Sequence, residues 1–170
     1  MLPKKLFNFT VFYDGSPMAG IVEEITLPKL ERTTEDYRGG GMLGPVKLDL
    51  GMETLTLDFT MAEHNGDVLK TWGIVNASGT NLRFLGSAFA DDSSASDAIE
   101  VSVRGRLTSF EPGNAKAGEM HKPKAEMGLT YFAYSVNGEK KIEIDLINGK
   151  EIVNGVDRSA DVLQALGMAQ

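Results

Sequence analysis

The chain of 170 residues contains no cysteine. That excludes a disulfide framework and any thiolate nucleophile or ligand, and it fits a reducing compartment. No apolar run approaches the roughly 18 residues that a membrane span needs, so no direct membrane insertion is expected. Lys4 and Lys5 precede Leu6-Phe7-Asn8-Phe9, but Asn8 and Thr10 interrupt what a signal peptide would keep continuously apolar. The chain is expected to be cytosolic at synthesis. Cations are too few for a general nucleic-acid binder: 17 Lys and Arg stand against 24 Asp and Glu, a net charge of −7. Such a surface would repel DNA and let it pass without gripping it.

Constellations for catalysis are missing too. The two histidines, His64 and His121, lie in polar, loop-like sequence without a second histidine at metal-ligand spacing. Glu23-Glu24 and Asp91-Asp92 are adjacent carboxylates, and neighbours on an extended chain point to opposite faces. No serine sits in a Gly-x-Ser-x-Gly elbow. Gly39-Gly40-Gly41-Met42-Leu43-Gly44 lacks the Gly-Lys-Ser/Thr ending of a phosphate-binding loop. No catalytic, cofactor-binding or metal-binding residue is therefore assigned, and no cofactor is expected. Arg104 and Arg106, with Glu100, read as a salt-bridged strand face.

What the chain does have is alternation. Phe7, Phe9, Val11 and Tyr13 lead to an Asp14-Gly15 hairpin turn, with a return from Met18 to Thr26. Val46, Leu48, Leu50 and Met52 alternate on one parity, and Leu55, Leu57, Phe59 and Met61 on the other. That phase change places a turn or bulge at 51–54. Further strands are predicted around Leu82–Ala88, Ile99–Leu107, Met127–Val136 and Ile142–Leu146, with Asn137-Gly138 a turn. Asn65 or Asp67 caps a short helix in which Val68, Leu69 and Trp72 face the core. Ser159 caps a final helix with Val162, Leu163 and Leu166 inward. Residues 29–45 and 111–126 lack periodicity and read as long loops. The predicted fold is mainly β: an antiparallel sandwich or barrel in one domain, 1–170, with one short internal helix and a short C-terminal helix.

Leu27-Pro28-Lys29-Leu30, Glu35 with Tyr37-Arg38-Gly39, Gly41-Met42 and Leu48–Gly51 occur in an order shared with a known family. Val103–Arg106, Thr130–Phe132, Glu143–Asp145 and Val153–Arg158 continue that order across nearly the whole chain. The sequence resembles the tail tube proteins of contractile-tail bacteriophages and of R-type phage-tail bacteriocins. The resemblance implies a β-sandwich subunit without enzymatic activity. It implies hexameric rings that stack into a hollow inner tube, serving DNA delivery or membrane puncture. The implied partners are further copies of the chain, the tail sheath, the baseplate and the tail terminator, with DNA passing transiently; the implied location is the tail of the virion. Interface candidates follow from the matched segments: Leu27, Lys29, Leu30, Arg32, Glu35, Tyr37, Arg38 and Met42 near the first long loop, and Asn154, Asp157 and Arg158 near the end. Two other readings fit the same strands, a small-ligand-binding β-barrel and the tube protein of a type VI secretion system.

Overall fold

A computed structural model describes residues 1–168. In chain order these form β1 (Lys5–Tyr13), β2 (Ser16–Pro17), β3 (Val22–Thr26), β4 (Arg32–Tyr37), β5 (Val46–Met52) and β6 (Leu55–Met61). Helix α1 (Gly66–Leu69) precedes β7 (Thr80–Phe89), β8 (Ser96–Glu111), β9 (Lys124–Val136) and β10 (Glu139–Asp145). The chain ends with β11 (Lys150–Val153), β12 (Val156–Asp157) and α2 (Ala160–Ala165). Every strand pairing is antiparallel.

Strand β9 is the spine. It pairs with β8 along its length on one side. On the other side its first half, Lys124–Leu129, pairs with β6, and its second half, Tyr131–Val136, pairs with β10. The sheet therefore forks at Thr130, whose carbonyl accepts from the Leu146 N–H at 3.0 Å. At the fork β9 bulges: Thr130 is the extra residue between the Arg104–Tyr131 and Gly105–Leu129 pairs. A Cβ on Gly105 would lie 2.1 Å from the Gly128 carbonyl oxygen, so only glycine fits where the two backbones close on each other. The bend folds the sheet on itself. Leu55, Leu57, Phe59 and Met61 of β6 meet Val11, Tyr13, Leu82, Phe84, Val101 and Val103 in one buried cluster. The Tyr13 ring lies 5.7 Å from Phe59, and its hydroxyl shares a 2.6 Å hydrogen bond with Thr71 beside α1. Burial raises the Tyr13 pKa above its ordinary value, so the hydroxyl stays protonated within that contact.

Several expectations change. Asp14-Gly15 does form the turn, with both φ angles positive (49° and 84°), but the return strand stops after Pro17. A tight turn at Met18–Val22 redirects the chain, and β3 pairs with β6. Phe7 does not share the inward face of Phe9, Val11 and Tyr13. A bulge between Leu6 and Asn8 makes Phe7 the extra residue and leaves it 67% exposed. Residues 29–45 are not all loop: β4 pairs with β5 as a separate two-stranded hairpin. Its Arg-Thr-Thr-Glu-Asp-Tyr sequence shows no apolar alternation because neither face is buried. The second long connection is shorter than 111–126: β8 runs to Glu111 and β9 starts at Lys124, which leaves 112–123 between them.

The helices are smaller than predicted. Asn65 caps α1, its side chain accepting from the Asp67 and Val68 N–H groups at 2.9 and 3.4 Å. Only Val68 is buried. The helix ends after one turn, so Trp72 leaves the apolar stripe and is 57% exposed instead of anchoring the core. In α2 only Leu163 points inward, whereas Val162 and Leu166 face outward. The Ser159 hydroxyl makes no cap; it donates to Asp157 at 2.6 Å and accepts from the Glu151 N–H at 3.0 Å.

Candidate assembly surface

The β4–β5 hairpin is the surface on which most sequence candidates fall. Its register is set by Thr34 opposite Asp49, Glu35 opposite Leu48 and Tyr37 opposite Val46. The tip closes through the Met42 N–H on the Gly39 carbonyl at 3.2 Å and the Gly39 N–H on the Met42 sulfur at 3.0 Å. Arg38 Nε donates to the Met42 carbonyl at 3.4 Å. Glycine is favoured at 41, where φ is +85°; at 39 a Cβ would meet only the hydroxyl end of the exposed Tyr37 side chain, which can move aside. Tyr37, Leu43, Val46, Leu48 and Leu50 are all exposed, and Leu43 is fully so.

The root is electrostatic. Arg32 forms an ion pair and hydrogen bond with Glu151 of β11 and lies 3.3 Å from Asp49 of β5. The hydrogen bond to Glu151 raises the Arg32 pKa further above its already high value. Beside it opens a cleft of about 590 Å³, lined by Met52, Ile144, Leu146, Arg158, Val162 and their neighbours. Arg158 donates its backbone N–H to the Glu151 carbonyl at 2.8 Å. Asp157 takes the Ser159 hydroxyl and N–H, which hold its carboxyl below the usual range.

The predicted residues thus divide. Lys29, Leu30, Glu35, Tyr37, Arg38 and Met42 lie along the hairpin or its approach, and Lys29 pairs with Glu31 at 3.3 Å. Arg32 and Arg158 both line the cleft, and Asp157 holds Ser159, another of its lining residues, by accepting from its hydroxyl and N–H. Leu27 packs against the core. Asn154, at φ 51°, forms the β11–β12 turn and donates its N–H to the Lys141 carbonyl, away from the hairpin. Sequence reasoning missed the outward face of Val46, Leu48 and Leu50, and it missed Glu151. The apolar alternation flagged the first, but nothing local flags the second, a partner 119 positions from Arg32.

Elsewhere, Glu100 pairs with Arg83 at 3.1 Å, not with Arg104 or Arg106. Arg104 lies over the Tyr131 ring at 4.1 Å, and Arg106 donates to the Val75 carbonyl at 2.8 Å. The strand register explains this: Ser102 and Arg83 face each other across β7 and β8, and Arg104 faces Tyr131 across β8 and β9. His64 and His121, distant in sequence, bring their rings to 4.3 Å, yet no group of three potential metal ligands exists among the described residues.

A core filled by its own large side chains, with an apolar hairpin held clear of it, defines a subunit that builds by surface contact. The family profile described as phage tail tube protein FII matches residues 3–167. Relatives agree across the full length. The tail tube protein of Escherichia phage P2 is 36% identical, covering 98% of this chain and 99% of that one. The major tail tube protein of Serratia phage KSP20 is 37% identical, covering 98% of each. The chain belongs to the phage tail tube protein FII family: it is a structural subunit of a contractile tail's tube and not an enzyme. Solved structures share the fold. The sheath/tube terminator of the extracellular contractile injection system PVC superposes with a TM-score of 0.59 at 12% identity, covering 79% of this chain and 98% of that one. A chain of the PVC sheath-tube complex gives 0.58 at 12% identity, covering 78% and 91%.

Proposed function

We propose that this subunit assembles into hexameric rings and that the rings stack into the hollow inner tube of a contractile tail, a conduit for DNA or a device for puncture. The β4–β5 hairpin carries the reading. It exposes Tyr37, Leu43, Val46, Leu48 and Leu50 on a two-stranded ribbon, and such a ribbon is marginal in water unless another surface packs on it. A neighbouring copy supplies that surface, with Lys29, Leu30, Arg32, Glu35, Tyr37, Arg38 and Met42 at the contact and Asn154, Asp157 and Arg158 near a second one. The chain 1–170 acts as one domain whose two long connections, 29–45 and 111–126, serve contacts between subunits. The names of the solved neighbours support two of the partners of such a tube, a sheath outside and a terminator at the end; a baseplate at the start completes the proposal. Assembly begins in the host cytoplasm. With a net charge of −7, the lumen is neutral to acidic and passes DNA without gripping it.

Sedimentation at rising concentration, followed by electron microscopy, tests this. Rings or tubes with a hollow centre are expected. A strictly monomeric species at high concentration and moderate salt, on its own and with a tail baseplate as nucleus, would sink the proposal.

A further inference from the structure

Four asparagines precede a glycine: Asn65, Asn137, Asn148 and Asn154. In such a pair no side chain shields the next backbone nitrogen from the asparagine amide, and asparagine is among the thermally labile residues. The fold treats the four differently. Asn65 caps α1, its Oδ1 accepting from the Asp67 and Val68 N–H groups. Asn137 accepts from the Ala98 N–H at 2.9 Å and donates to Asp97 at 3.1 Å. Asn148 donates its Nδ2 to Asp145 at 2.7 Å. The side chain of Asn154 makes no hydrogen bond among the described residues, and Asn154 and Gly155 are both exposed. The turns differ as well. Asn137-Gly138 joins β9 to β10 and Asn148-Gly149 joins β10 to β11, closing ladders of six and four pairs. Asn154-Gly155 closes only two pairs, Ile152–Asp157 and Val153–Val156, and β12 is the edge of the sheet. Both of its φ angles are positive (51° and 78°), and no heavy atom lies within 4 Å of where a Gly155 Cβ would stand. A short pairing at an edge opens at low cost, so this turn leaves its folded geometry more readily than the other three.

We propose that Asn154 is a self-modification site of the folded free subunit, where the Gly155 nitrogen closes on the Asn154 side chain and the amide becomes a carboxylate. The Gly155 N–H gives its proton to solvent base as the nitrogen attacks Cγ. A C–N bond forms, the Cγ–Nδ2 bond breaks, and Nδ2 leaves as ammonia with the proton returned. The product is a five-membered imide, which water opens. Cleaving the new bond leaves aspartate. Cleaving the original peptide bond leaves an isoaspartyl linkage, in which the main chain runs through Cβ and Cγ and is one carbon longer. Amide and water become carboxylate and ammonium, so no oxidant or cofactor is needed. Turn type and loop length fix the register of a hairpin, and the longer linkage therefore shifts Asp157 away from Ile152. Asp157 holds Ser159, which accepts from the Glu151 N–H, so the loosening reaches the residue paired with Arg32. The chemistry goes beyond the tube reading and does not depend on it.

Peptide mass spectrometry of the full-length free subunit, sampled during storage in mildly alkaline buffer, tests this, with an isoaspartyl methyltransferase to label the longer linkage. In the native chain, conversion at Asn154 should run at least roughly fivefold faster than at Asn65, Asn137 or Asn148, as expected where each of those must first give up a hydrogen bond. In denaturing urea the four rates should converge, because the same residue follows each asparagine. An equal or faster rate at another of the four in the native chain overturns the proposal. So does an undiminished lead for Asn154 in urea, which would assign the preference to flanking sequence and not to the fold. The structural consequence has its own readout. Amide exchange at Glu151 and Asp157 should quicken in the isoaspartyl fraction and stay unchanged in Asn154→Asp, which adds the charge without lengthening the main chain. Quickening in both chains, or in neither, overturns the claim that the added carbon loosens the hairpin root.

Discussion

Strands β5 and β6 follow one another with only Glu53 and Thr54 between them, and they look alike. One reads Val-Lys-Leu-Asp-Leu-Gly-Met, the other Leu-Thr-Leu-Asp-Phe-Thr-Met. Their fates are opposite. In β6 the four alternating apolar residues are at most 1% exposed; in β5 Val46, Leu48 and Leu50 are 45% to 60% exposed. The difference lies in the neighbours. β6 has β3 on one edge, β9 on the other and a layer of side chains beneath, whereas β5 has only β4. Alternation thus specifies a face that must be covered, without saying whether the chain itself or another copy covers it.

The largest test of this contrast compares two leucines. Leu57→Ala in β6 should destabilise the free subunit by about 2–5 kcal/mol in denaturant unfolding, the range for emptying a packed core site. Leu48→Ala in β5 should stay within about 0.5 kcal/mol yet impair tube formation. A large loss from Leu48→Ala in the isolated subunit would show that the hairpin packs on its own body and would break the comparison. Next in size is Gly105→Ala. Its Cβ would press on the Gly128 carbonyl where the fork bends β6 over the core, and about 1–3 kcal/mol should be lost. A midpoint unchanged in urea would mean that the bulge relaxes at no cost.

Much of the fold could be read from the residues. Period-two alternation found the buried faces of β6, β7 and β8, because each has a core beneath it. Asp14-Gly15 and Asn137-Gly138 were legible as turns because their backbone needs positive φ. The failures share a cause: the deciding contact is remote. β4 has no buried face and so no periodic signal. Trp72 looked like an anchor because one turn of helical spacing cannot show where the helix stops. The partner choice of β3 was decided by the Met18–Val22 turn and by β6, not by proximity to β1. Of the proposed assembly surface, the hairpin's segment was visible through ordered family motifs, but its Glu151 anchor was not.

A smaller effect sharpens the contrast in time rather than energy. In the free subunit, amide hydrogens shared by β4 and β5 should exchange fast, while those between β6 and β9 exchange only with global unfolding. Assembly should slow the first set and leave the second unchanged. Equal, strong protection of both hairpin and core before assembly would place the hairpin among the packed elements.

The smallest effect concerns how the root of the exposed ribbon is held. Asp157 accepts from the Ser159 hydroxyl and N–H, and Ser159 in turn accepts from the Glu151 N–H. That chain fixes the backbone of the residue that pairs with Arg32. The Ser159 hydroxyl first, and then its N–H, lower the Asp157 pKa. A carboxyl depressed in the folded state adds stability above its unfolded value, about 4. The contribution fades as pH falls through the lower folded value. The melting temperatures of wild type and Asp157→Asn should therefore differ slightly near pH 7 and converge in acid. At pH 7 the variant should also exchange its Arg32 amide faster, with the β6 amides unaffected. A difference that stays constant into acid would assign Asp157 a role of shape alone, and a root that stays equally protected in the variant would show that Arg32 and Glu151 hold the ribbon without it.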